Sequence, residues 1–155
     1  MSTKTDLVRS HLERLMQRIF ELPQLPTDDR GEIRIRHGSA LCRVRLLVSS
    51  HPHVEVYSSA VAGVDKTPKL LDDINDLNSR LSHARAFWRD SKVIVSAELL
   101  GETLDFEELA CTYEEVATVS DEEGATLADR HGGRTAFSGT TDEPLVPAPR
   151  NGGYL

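Results

Sequence analysis

The chain has 155 residues, 39% hydrophobic and 28% charged, and carries a net charge of −7. That is about one domain of chain with enough apolar material for a core, so a wholly disordered protein is excluded. No apolar run approaches the roughly 20 residues that span a bilayer, and the negative balance argues against nucleic acid as the partner.

The first element expected is a helix from about Thr5 to Glu21. Val8, Leu12, Leu15, Ile19 and Leu22 recur at steps of four and three, and Pro23 and Pro26 stop the run. Three strands follow. In Glu32 to Arg36, Ile33 and Ile35 point one way and Arg34 and Arg36 the other. In Ala40 to Ser49, Cys42, Val44, Leu46 and Val48 share one face, and Leu41, Arg43, Arg45 and Leu47 the opposite one. Val54 to Val61 is rich in β-branched residues. The short connections between these strands favour antiparallel pairing.

Thr67 followed by Pro68 reads as the start of a second helix, running to about Leu81 with Leu70, Ile74, Leu77 and Leu81 as its stripe. Asn75 and Asn78 lie one turn apart in it, although asparagine is a poor helix former. Ala84 to Arg89 and Lys92 to Leu99 read as strands joined by a hairpin turn at Asp90-Ser91. The last helix is expected from Phe106 to Arg130. Asp105 and Glu108 are spaced as a capping box with a carboxylate in place of the hydroxyl, and Gly132-Gly133 closes the helix. Gly124 falls on its apolar face and reads as a site of close packing; the alternative is a turn near Ser120 that splits the helix in two.

From Arg134 the pattern collapses into a polar tail containing Pro144, Pro147 and Pro149. The division expected is therefore an α+β domain over residues 1–133 and a disordered Pro/Gly-rich tail over 134–155. The domain is a mostly antiparallel sheet packed by helices, in the order helix, three strands, helix, two strands, helix.

Few residues suggest chemistry. Cys42 and Cys111 form no CxxC pair, which speaks against a thiolate zinc site and makes both reduced, buried packing residues. His51-Pro52-His53 puts two imidazoles on one face but brings no third or fourth ligand, so it reads as a loop entering a strand. The nucleotide-binding glycine motifs, the nucleophile elbow and the zinc-protease signature are absent. The pairs Glu107-Glu108, Glu114-Glu115 and Glu122-Glu123 read as solvated charge on a helix. No catalytic, metal or cofactor residue is expected.

The charge is unevenly placed: Glu98 to Asp129 holds eleven acidic residues and no Lys or Arg, whereas Arg30 to His53 holds five arginines and one acid. Arg34, Arg36, Arg43 and Arg45 project from neighbouring strands on the face away from the apolar residues. They either grip carboxylates or phosphates of a partner or form the wet face of a one-sided sheet, paired with the acidic helix. Trp88 shares a face with Ala84 and Ala86, which favours core packing first and an interface anchor second. These five are the candidate partner-binding residues. The polar start, with its apolar residues spaced as on a helix face, is no signal peptide, so the protein is expected in the cytoplasm.

The stretch Leu70-Leu71-Asp72-Asp73-Ile74-Asn75-Asp76-Leu77-Asn78, the hairpin Ala86-Phe87-Trp88-Arg89-Asp90-Ser91-Lys92-Val93 and the close Leu127-Ala128-Asp129-Arg130-His131-Gly132-Gly133 resemble the YbjN-like family, which shares the fold of type III secretion chaperones. The resemblance covers roughly residues 7 to 133, and the tail is similar to extensions of actinobacterial members. It implies an α/β sandwich, often dimeric, that binds peptide segments of partner proteins and has no enzymatic centre. The function expected is a chaperone-like or adaptor domain for a peptide or protein client, binding by strand addition at a sheet edge or in a helix–sheet groove. The alternative is a small-molecule-binding domain or an enzyme with a dispersed active site.

Overall fold

The computed structural model describes residues 3–137. Its elements are α1 (Thr3–Phe20), β1 (Ile33–His37), β2 (Ala40–Leu47), β3 (His53–Ala62), α2 (Pro68–Asn78), β4 (Arg85–Arg89), β5 (Lys92–Leu100) and α3 (Phe106–His131). The order and class are those the periodicities predict. The strands form one sheet in the order β1-β2-β3-β5-β4, with every neighbouring pair antiparallel. β3 and β4 therefore run in the same direction with β5 between them, and α2 supplies the crossover that parallel strands need.

One core cluster gathers the buried stripes of all three helices with alternate strand residues, among them Ile33, Ile35, Cys42, Val44, Val54, Val56, Val93 and Val95. The helices thus lie on one face of the sheet and form a two-layer sandwich. α1 buries Met16 and Phe20 besides its expected stripe, and Phe20 meets Tyr113 of α3 edge to face at 4.9 Å. α3 is continuous over 26 residues, capped by Asp105 Oδ1 accepting from the Glu108 N–H at 2.8 Å and closed by Gly132 at φ 76°. The split near Ser120 does not occur. Gly124 packs so closely on β3 that a Cβ there would collide with the Ala60 carbonyl oxygen, at the bulge where the β3–β5 register shifts between Ser59 and Val61.

Two side chains fasten loops and edges to this frame. Asp121 of α3 accepts hydrogen bonds from the Ser39 N–H and hydroxyl, both at 2.7 Å, and so clamps the β1–β2 turn. Asn78 explains its own presence in α2: its Oδ1 accepts from the Ala86 N–H at 2.8 Å and its Nδ2 donates to the Ala86 carbonyl at 2.9 Å. The amide mimics a neighbouring strand along the outer edge of β4.

Several expectations change in detail. α2 ends at Asn78 rather than near Leu81, because Asn78 turns its amide to β4 and the chain bends at once through Ser79 and Arg80. Cys42 is buried, but Cys111 is exposed, since its position on α3 falls outside the packed stripe. Residues 134–137, expected in the tail, are tied to the sheet. Arg134 and Ala62 exchange backbone hydrogen bonds at 2.8 and 2.9 Å, and the Phe137 N–H donates to the Ser39 carbonyl at 3.1 Å. The rest of the tail, residues 138–155, lies outside the described residues.

Candidate functional site

Among the described residues no helix covers the second face of the sheet. Its side chains follow from strand alternation and register. Arg34 lies opposite Arg43, Arg43 opposite Tyr57, Tyr57 opposite Ser96 and Ser96 opposite Arg85, a row that crosses all five strands. The flanking rows bring Arg36 beside Leu41, Arg45 beside Glu55 and Phe87 beside Ile94. Arg34, Arg36, Arg43 and Arg45 therefore share one surface, and Arg85, Arg89 and Lys92 extend it on the far side.

The face is a network rather than a bare array of charges. Arg45 meets Glu55 Oε1 through Nε at 2.8 Å and Nη2 at 2.7 Å, and approaches Glu32 at 3.6 Å. Arg43 lies 3.6 Å from Glu32 and 3.9 Å from Asp28. The Tyr57 hydroxyl donates to Glu32 Oε2 at 2.7 Å, while the Arg45 guanidinium stacks over its ring at 4.7 Å. Glu32 and Glu55 are buried under these long side chains. Asp28, Arg30, Glu32, Arg43, Arg45 and Tyr57 line an open hollow of about 240 Å³.

The electrostatics match this pairing. Burial disfavours the charge on Asp28, yet the backbone N–H groups of Glu32 and Arg30 and the nearby Arg43 and Arg34 outweigh it and hold the carboxyl below its usual range. Burial, and then the bond to Glu32, push the Tyr57 hydroxyl up to about 12. Arg45 is also partly buried, but its pairing with Glu55 prevails and raises its pKa.

The arginines differ in what they have left to offer. Arg43 and Arg45 are held by Asp28, Glu32 and Glu55. Arg36 donates from Nε to the Gly38 carbonyl at 3.0 Å and lies 4.3 Å over the Phe137 ring. Arg34 Nε is buried and has no hydrogen-bond partner among the described residues. The acids that pair with these strands come from the loop before β1 and from β3, not from α3, which packs on the other side of the sheet. α3 spends its own acids differently: Glu115, read as solvated, accepts backbone N–H groups from Ser82, His83 and Ala84, and Glu123 pairs with Arg80 at 3.3 Å.

Trp88 does not join the arginines. It lies on the helix-bearing face, half-buried against the core, with Nε1 donating to the Val64 carbonyl at 3.0 Å. Core packing accounts for it. Asp28, Glu32, Glu55 and Tyr57 are the members of the surface that strand alternation alone leaves unassigned. Glu55 and Tyr57 share a parity in β3, but only the β2–β3 register places them beside Arg45 and Arg43. His51 and His53 do not converge: His51 faces Glu102 at 3.8 Å and His53 lies in β3. No group of three or more His, Cys, Asp or Glu side chains among the described residues could hold a metal ion.

The family model described as "T3SS (YopN, CesT) and YbjN peptide-binding chaperone 1" matches residues 6–139. The chain belongs to this peptide-binding chaperone family. Solved structures agree on the fold. The ExsC–ExsE complex superposes with a TM-score of 0.58 at 16% identity, covering 76% of this chain and 94% of the other. The Yersinia pestis type III secretion chaperone SycH, solved with a stable fragment of YscM2, gives 0.54 at 19% identity, covering 76% and 98%. YbjN from E. coli, described as a putative transcription regulator, gives 0.53 at 16% identity, covering 84% and 94%. No curated protein sequence matches significantly. No helix among the described residues is long and apolar enough to cross a membrane.

Proposed function

We propose that this member of the family is a non-catalytic chaperone-like or adaptor domain that holds an acidic segment of a partner protein on the uncovered face of its sheet. The observation that carries the reading is the row of cations on that face, with Arg34 Nε buried and unbonded among the described residues. A carboxylate laid over β1 and β2 would meet the outer part of the Arg34 guanidinium and give it a counter-ion. The family's peptide-binding character supports a protein client.

The edges are less suited to strand addition than the face is to docking. Asn78 occupies the β4 edge at Ala86. Along β1, the Pro26 carbonyl accepts from the Arg34 N–H and the Glu32 carbonyl accepts from the Asp28 N–H. Proton-transfer chemistry is poorly served: Glu32 and Glu55 are engaged by arginine or tyrosine, and a tyrosine near 12 keeps its proton at neutral pH. The reading includes a homodimer, whose mass light scattering measures, and a cytoplasmic location, which cell fractionation measures.

The test is titration of defined peptides into the full chain. An extended peptide carrying three or four carboxylates binds, its lysine-substituted counterpart does not, and Arg34→Glu weakens binding by about tenfold or more, equal to roughly 1.4 kcal/mol. Equal affinity for acidic and basic peptides, or a small metabolite that raises the melting temperature while no peptide binds, would overturn the reading.

A further inference from the structure

The chain beyond α3 takes a defined route. Arg134 pairs with Ala62 at the end of β3, and three residues later Phe137 is bonded to Ser39 at the start of β2. The Thr135 hydroxyl donates to the Phe137 carbonyl at 3.1 Å and shapes this bend. The Phe137 ring lies under the guanidinium of Arg36, a residue of the uncovered face. The polypeptide is thus carried from the helix side, past the strand ends, to the rim of the arginine surface. Eighteen residues follow, and they place Asp142-Glu143 ahead of Pro144-Leu145-Val146-Pro147.

We infer that residues 138–147 of this same chain dock on the arginine face, with Asp142 and Glu143 directed at Arg34 and Arg43, as an internal occupant that an acidic client must displace. The inference rests on the reading of that face as the client surface. Distance permits it: five residues from Phe137 to Asp142 reach up to about 17 Å. Arg34 is only two residues, about 7 Å, along β1 from Arg36, and β2 lies about 4.8 Å further across. Charge favours it at Arg34, which lies directly opposite Arg43 but, unlike it, forms no ion pair with Asp28 or Glu32 among the described residues. Chain chemistry favours it as well. Pro144 and Pro147 bias the segment to an extended form, and Leu145-Val146 bring apolar side chains toward half-buried Leu41. Tethering raises the local concentration of the acidic pair to about the millimolar range, so a free acidic segment at micromolar concentration competes poorly until the tail is drawn off.

The test uses the full chain. A nitroxide is attached at Glu143→Cys in a Cys111→Ser background, leaving buried Cys42 unlabelled. Docking broadens the amide resonances of Arg34 and Arg43 and spares those of α2. Absence of that broadening overturns the inference, as does broadening that appears only on isotope-labelled chains mixed with spin-labelled ones, which would mean a second copy donates its tail. In a second arm, Asp142→Lys/Glu143→Lys raises the affinity of the full chain for a free peptide of residues 138–150 by about tenfold. Unchanged affinity overturns the internal occupant. If unrelated acidic peptides still bind wild type and variant equally well, the client face stands and only the tail's role is lost.

Discussion

Glu32 is buried at the mouth of the sheet face and is the acceptor on which Tyr57, Arg43 and Arg45 converge. Removing one donor tests how far the face is preorganised. Tyr57→Phe keeps the ring under Arg45 but loses the 2.7 Å bond, and we expect a loss of about 1 kcal/mol of stability by urea unfolding. Asn78→Ala is more costly. It strips both outward backbone groups of Ala86 of their partners, so a loss of about 1–3 kcal/mol is expected, together with self-association through the uncovered β4 edge, read by light scattering. Besides Asp28, two carboxylates outside the sheet face link stability to pH. The bond to His131 chiefly, against burial and with help from Arg130, holds Asp73 low; for Glu115, burial is outweighed by the N–H groups of Ala84, His83 and Ser82. Both folded pKa values lie below the unfolded ones, so the unfolded chain takes up protons first as pH falls. Their contribution is complete above about pH 5 and is lost as pH drops through 4 and below. Melting temperatures measured from pH 7 to 3 should fall in that window, and Glu115→Gln should flatten the fall.

At the scale of elements, α3 is the spine. It caps the β1–β2 turn through Asp121, closes the loop before β4 through Glu115 and meets the bulge of β3 through Gly124. Gly124→Ala adds one methyl group against a backbone carbonyl that cannot swing aside, and a loss of about 1–3 kcal/mol is expected in chemical denaturation, despite the better helix propensity of alanine. The β4–β5 hairpin invites the opposite change. Asp90 and Ser91 both have positive φ, 50° and 63°, in a two-residue turn. Ser91→Gly relieves a left-handed serine and should stabilise by up to about 1 kcal/mol, raising the urea midpoint without changing the slope. The elements themselves were legible in sequence. Periods of 3.6 and 2 located the helices and the first two strands, β-branched content located β3, and the turn at Asp90-Ser91 divided β4 from β5. Their ends were less legible: α2 stops at Asn78 for the sake of a contact with β4, eight residues further on.

Across the whole molecule, charge is segregated by layer. The uncovered sheet face carries Arg34, Arg36, Arg43, Arg45, Arg85, Arg89 and Lys92 beside the acids that pair with some of them, and the outer side of α3 carries much of the acidic excess, with Glu107, Glu108, Glu122 and Asp129 exposed. Binding of an acidic peptide to the face should therefore weaken steeply between 0.05 and about 0.5 M salt, mainly through slower association, whereas a groove-type apolar client would be little affected. The sequence by itself determined the element order, the two-layer class and the grouping of Arg34, Arg36, Arg43 and Arg45, because alternation along a strand is a local property. Tertiary structure decided which acids sit beside those arginines, that Asn78 guards an edge, and that Arg134 to Phe137 are tied to the sheet. Each of these depends on register or on contacts between segments far apart in the chain, and pairing across strands is written in the fold's geometry rather than in any one stretch of residues.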